Sequence, residues 1–127
     1  MLKFKNYVKQ SNIHGIGLFT KEFIPAYSQV WVYDSRIDNI ISPSVYDSFP
    51  DYVKDHFKTY AWLDKNGNFN ISLDNDRFIN HSLNPNIIFN DSMKETEMLA
   101  SRDILPEEEI TANYFEFDFI TKKYGII

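Results

Sequence analysis

The amino-acid sequence predicts a mainly β domain in which short strands surround a small helical insert. Three features point that way. Several short runs alternate apolar and polar side chains, the period of a strand with one buried face. Lys65-Asn66-Gly67-Asn68 separates two such runs, and Asn-Gly is a strong hairpin signal because both residues tolerate the positive φ of a tight turn. Helical punctuation is confined to residues 41–60, where Ser42-Pro43 can cap and open a helix and Pro50 can end it.

In chain order, Phe4 to Gln10 alternates as a strand, and Gly17 to Glu22 does so more loosely. Ile24-Pro25-Ala26-Tyr27 reads as a turn, followed by a buried strand over Gln29 to Tyr33. The helix opened by Ser42-Pro43 gives way after Pro50 to a second one, with Val53, Phe57 and Tyr60 on one face. YAWLD and FNISLD flank the Asn-Gly turn. Ile87 to Asn90 and Glu97 to Ser101 suggest another hairpin around Asp91 to Thr96, and Ile110 to Tyr114 a last strand. The aromatic tail FEFDFITKKYGII, residues 115–127, follows.

A length of 127 residues corresponds to one domain, 1–127, able to hide about two-thirds of its unfolded surface. Aromatic residues make up 17% of the chain, enough both to fill a core and to wall a narrow site. The net charge of −5 disfavours nucleic acid as a direct partner and suits a basic ligand. The absence of cysteine excludes disulfides and cysteine-held zinc. MLKFKNYVKQ is too polar for a signal peptide and no run approaches a membrane span, so no membrane partner and a cytoplasmic location are expected, or a nuclear or host-nuclear one for a eukaryotic or viral chain.

Three segments carry unusual residues. HGIGLF, His14 to Phe19, holds two glycines one residue apart. A dinucleotide fingerprint would need a third glycine where Thr20 stands, and a P-loop would need Gly-Lys-Ser/Thr, so neither phosphate site is present. By itself such a pair marks a bulge or tight turn. RFINHSLNPN, Arg77 to Asn86, crowds Asn80, His81, Ser82, Asn84 and Asn86 together, a platform either for a ligand or for the loop's own backbone. ASRDILPEEEITANYFEFD, Ala100 to Asp118, carries a glutamate run over 107–109 that reads as a solvated turn, and Tyr114 at the end of an apolar stretch.

In this order and spacing the three segments resemble the SET-domain family of protein lysine methyltransferases, from Ser11 to about Asp118. Gly15, Gly17 and Phe19 match its Gly-x-Gly-x-Phe element. Arg77 to Ser82 with Pro85 and Asn86 match Arg-Phe-Ile-Asn-His-Ser…Pro-Asn, and Glu108, Glu109, Ile110, Thr111 and Tyr114 match the last element. The resemblance implies a β-clip fold with a C-terminal pseudoknot that brings Tyr114 beside Asn80. It implies S-adenosylmethionine as cofactor, held by His14, Ile16, Gly17 and Leu18 through main-chain atoms and by Asn80 and His81 at the adenosyl end. Arg77, Phe115 and Phe117 are further candidates for cofactor contact. Tyr114 matches the catalytic tyrosine and Tyr60 a tyrosine of the lysine channel.

The chemistry implied is in-line methyl transfer to a neutral lysine amine. Free lysine has a pKa near 10.4, so deprotonation at pH 7 costs about 4–5 kcal/mol, which burial and a neighbouring positive charge reduce. Aromatic walls suit the lysine stem and a methylated head. Two departures stand out: Ala112 replaces an aromatic residue that helps set product number in many relatives, and the zinc-binding cysteine tail is missing, leaving Phe117, Phe119 and Tyr124 to close the site. The substrate class implied is a lysine-containing basic protein such as a histone, a histone-like or a ribosomal protein, and a homodimer is possible for compact members. A binding module that has lost catalysis is the competing reading, and retention of Asn80, His81 and Tyr114 argues against it. A metal hydrolase built on His14, His56 and His81 lacks ligand spacing, so no metal is expected.

Overall fold

The computed structural model describes residues 1–90 and 95–118. β1 (Asn6–Gln10) and β2 (Ile16–Thr20) form an antiparallel hairpin, with Asn6 opposite Thr20 and Gln10 opposite Ile16. β3 (Gln29–Val32) comes next, then β4 (Asp38–Ile41), which the sequence did not reveal. In DSRIDNIIS no alternation marks a buried face, and the strand exists because its backbone pairs with a later one. The insert follows as α1 (Pro43–Asp47) and α2 (Asp51–Tyr60). Ser42 caps α1 by accepting from the Val45 amide at 3.3 Å, and Pro50 separates the two helices, as the sequence predicts.

β5 (Trp62–Leu63) and β6 (Phe69–Ser72) flank the Asn-Gly turn, in which Gly67 takes φ +83°. Asp64 organises that turn, accepting from the Asn66 and Asn68 amides at 2.9 Å. A 3₁₀ turn over Asn75–Phe78 leads into β7 (Asn80–His81), then β8 (Ile87–Phe89), β9 (Glu97–Ala100) and β10 (Thr111–Ala112). The expected last strand is therefore shorter than Ile110 to Tyr114: after two paired residues the chain enters a 3₁₀ turn over Tyr114–Glu116, started by the Asn113 side chain accepting from the Phe115 amide at 3.1 Å. Residues 91–94 of the expected β8–β9 turn, and Phe119 and Tyr124 of the tail, lie outside the described residues.

Two small antiparallel sheets, β3-β9-β8 and β4-β6-β5, accompany the β1-β2 hairpin and a parallel β7-β10 pair. The apolar faces meet in two clusters. One joins Leu18, Val30, Trp31, Ile87, Met98, Ile104 and Ile110. The other sits under the helical insert, where Tyr46 stacks on Phe69 at 4.3 Å and packs edge-on against Phe57. The insert is thereby anchored on β5 and β6, the strands that lead into the 3₁₀ turn and β7. No helix among the described residues is long and apolar enough to cross a membrane.

Candidate functional site

Pairing of β7 with β10 builds the centre of the site, because it sets Asn80 opposite Thr111 and His81 opposite Ala112. Asn86, only 2% exposed, secures the pair. Its Nδ2 donates to the Glu109 carbonyl at 2.8 Å and its Oδ1 accepts from the Thr111 amide at 2.9 Å. Part of the polar loop thus serves backbone, one of the two uses its composition allowed.

Tyr114 is held at both ends. Its amide donates to His81 Nδ1 at 3.0 Å, so that ring nitrogen carries no proton, and its hydroxyl donates to the Ile79 carbonyl. Burial, reinforced by the Asp118 charge, pushes the phenol up to about 12. The hydroxyl stays protonated and acts as a hydrogen-bonding group rather than a phenolate.

The glycine loop has a different logic from the one the sequence suggested. A Cβ on Gly17 would sit 2.6 Å from Glu109 Oε2, so the bare backbone makes room for a carboxylate of this chain. Glu109 accepts from Ser11 Oγ at 2.7 Å and from Asn80 Nδ2 at 2.9 Å, and Asn80 Nδ2 also donates to the His14 carbonyl at 3.0 Å. The expectation that 107–109 is a solvated turn holds for exposed Glu107 and fails for Glu109, because the bridge between Phe19 and Glu109 lays that residue along β2. Gly15, at φ +47°, has open space where a side chain would be.

These elements border one cavity of about 940 Å³. His14, Ile16, Arg77, Asn80, His81, Tyr60, Tyr114 and Phe117 line it. Three predicted residues do not. Leu18 is fully buried in the core and its carbonyl accepts from the Ile110 amide, Gly17 faces Glu109, and Phe115 is 59% exposed with its edge against the His81 ring. Arg77 rests its guanidinium over the Phe78 ring at 4.9 Å. Tyr60, at the end of α2, stacks obliquely on His56 and meets Phe78 edge-on at 6.0 Å. Phe117 packs against Trp62, Phe89 and Tyr114 on the cavity wall.

Several lining residues were not legible beforehand: Trp31, Tyr33, Trp62 and Asp76; Ala112, singled out as a departure, lines the cavity as well. Asp76 is the unusual one. Its Oδ1 is buried without a hydrogen-bond partner among the described residues, as is the indole nitrogen of Trp31. Burial, with Asp38 and Asp74 adding repulsion and a Ser72 hydrogen bond opposing it, raises the carboxyl to about 6. No cluster of three or more His, Asp or Glu able to hold a metal occurs among the described residues.

Comparison with known proteins gives a consistent result. The SET domain model matches residues 15–115. A Plasmodium falciparum (isolate 3D7) protein provisionally named histone-lysine N-methyltransferase 1 is 38% identical over 120 residues, covering 85% of this chain; the chain spans 2% of that relative's length. Among solved structures, the methyltransferase domain of human histone-lysine N-methyltransferase SETMAR superposes with a TM-score of 0.60 at 27% identity, over 89% of this chain and 45% of that one. A Chaetomium thermophilum Polycomb Repressive Complex 2 bound to S-adenosylmethionine gives a TM-score of 0.65 at 23% identity, over 94% of this chain and 16% of that one, which speaks for the fold alone. With the family's three sequence elements gathered on one cavity and its model matched over most of the length, this chain belongs to the SET domain family.

Proposed function

We propose that the chain transfers a methyl group from S-adenosylmethionine to the side-chain amine of lysine in a basic protein. The observation that carries the reading is Tyr114, fixed at its amide by His81 and at its hydroxyl by the Ile79 carbonyl, with both partners lining the same cavity as the glycine loop. The residues fit the cofactor: the cavity holds a small molecule and a side chain together, and the open space at Gly15 leaves a bare edge facing it. His14, Ile16, Asn80 and His81 are the residues that would hold it, and when bound it supplies an electrophilic methyl group.

The chain's own contribution is alignment and exclusion of water. Tyr60, Trp62, Phe78, Phe89 and Phe117 present ring surface to the cavity, which suits an alkyl stem ending in a cation. Orientation of two reactants supplies several kcal/mol of the barrier reduction without any covalent step on the protein. A net charge of −5 favours a Lys/Arg-rich partner, and the name of the P. falciparum relative makes histones the first acceptors to try.

Calorimetric titration with S-adenosylmethionine and S-adenosylhomocysteine, followed by methyl transfer to core histones, tests the reading. Saturable binding and transfer to lysine are expected. Binding of neither compound, with no transfer, would overturn it in favour of a peptide-binding module.

A further inference from the structure

Two walls of the cavity come from distant parts of the chain. One is the β7-β10 side, where His81 and the Ile79 carbonyl hold Tyr114. The other is the end of α2 with β5, which contributes Tyr60 and Trp62. A charged side chain joins them. Asp118, also on the cavity wall, accepts from the Leu63 amide at 3.0 Å through Oδ1, across a separation of 55 residues. Leu63 is 2% exposed and lies in β5, the end strand of its sheet, where the carboxylate takes the place of a further strand in satisfying a buried amide.

On its own side Asp118 belongs to the turn that carries Tyr114. The Asp118 amide donates to the Tyr114 carbonyl at 2.7 Å, and the Phe117 amide donates to the same oxygen at 3.2 Å. These two bonds close the turn, so a shift of Asp118 is passed to Tyr114. The Phe117 ring also meets Trp62 edge-on at 5.5 Å. A ring contact of that kind tolerates sliding, whereas a hydrogen bond from an amide to a carboxylate fixes a distance and a direction.

We propose that Asp118 is a positioning residue for the reaction: by binding the Leu63 amide it sets Tyr114 at a fixed place relative to Tyr60 and Trp62. The inference rests on the lysine methyltransferase reading of the site. His81 and the Ile79 carbonyl register Tyr114 against Asn80 and the proposed cofactor residues. The Asp118 bond registers it against the ring wall proposed for the lysine stem, because Leu63 directly follows Trp62 in the chain. Both registers are needed for an in-line displacement, since a misplacement of about 1 Å can cost on the order of a hundredfold in rate. The role belongs to the oxygen that accepts from the amide and not to the negative charge. Asparagine, which keeps that oxygen and loses the charge, can therefore replace it, and alanine cannot.

The test compares wild type, Asp118→Ala and Asp118→Asn, with core histones and S-adenosylmethionine as substrates. The alanine variant should lose about tenfold or more in kcat, with its KM for S-adenosylmethionine and its S-adenosylhomocysteine affinity, read by calorimetry, close to those of wild type. The asparagine variant should recover most of the lost kcat. Hydrogen exchange at the Leu63 amide should quicken in the alanine variant and stay slow in the asparagine one, which reads the bond directly. Wild-type kcat in the alanine variant overturns the proposal, and so does an asparagine variant as impaired as alanine. Loss of the fold or of S-adenosylhomocysteine binding in the alanine variant also overturns it, by making Asp118 structural. A wild type that binds no cofactor and methylates no acceptor overturns the underlying activity, and this role with it.

Discussion

Glu109 Oε2 accepts a hydrogen bond from Asn80 Nδ2 at 2.9 Å, although the two residues are 29 apart in sequence, and it does so in the space left by Gly17. The carboxylate also takes the Ser11 hydroxyl, so one side chain ties the start of the glycine loop to the Asn-His strand. The loop's shape depends on a charge-assisted network rather than on glycine flexibility alone.

Gly17→Ala should therefore act through Glu109. The added methyl forces the carboxylate off Asn80 and Ser11, and leaving these polar groups unpaired costs about 1–3 kcal/mol. Urea unfolding should show that loss, with at least a tenfold weaker S-adenosylmethionine affinity. Because the two positions share one contact, Gly17→Ala combined with Glu109→Ala should be less damaging than the sum of the single changes. Strict additivity in the cycle would disprove the coupling.

Tyr114→Phe removes the hydroxyl that the Ile79 carbonyl receives and leaves the ring in place. Stability should fall by about 1 kcal/mol, cofactor binding should persist, and turnover should drop at least a hundredfold, the usual scale for a positioned polar group. In the wild type, absorbance titration should find this tyrosine ionising near pH 12, well above the ordinary phenol value. A phenolate signal below pH 10 assigned to Tyr114 would contradict its burial.

Asp76 makes a separate prediction for the fold. Its carboxyl is raised from 3.8 to about 6, mainly by burial, so between those values the folded state holds a proton that the unfolded state has released. Its contribution to stability is thus largest below the unfolded value and is lost as pH rises through about 6. The difference corresponds to up to about 3 kcal/mol at pH 7. Asp76→Asn should remove that slope and raise the melting temperature by several degrees at neutral pH. An unchanged curve would mean that the carboxyl is not buried in solution.

Asn86→Ala breaks both side-chain bonds that hold β10 to the loop after β7. With the Thr111 amide and Glu109 carbonyl left unsatisfied inside the molecule, a loss of about 2–4 kcal/mol is expected. Hydrogen exchange should show early opening at Thr111 and Ala112, with the β1-β2 hairpin still protected.

The sequence by itself determined the mainly β class, the capped insert, the Asn-Gly hairpin and the three motifs, because alternation, Ser-Pro and Asn-Gly act over a few neighbouring residues. It also singled out His14, Asn80, His81 and Tyr114, all of which come to one cavity. Only the tertiary structure decided the rest. β4 exists by pairing with β6, Tyr114 leaves its strand for a 3₁₀ turn, and Leu18 turns into the core while His14 and Ile16 line the cavity. Glu109 read as a surface acid because its partners, Ser11 and Asn80, lie 98 and 29 residues away. Asp76 looked like one more aspartate in DNDRF, and what distinguishes it is burial with an oxygen left unpaired. Desolvation and long-range hydrogen bonding are properties of the packed chain, so no local pattern of residues announces them.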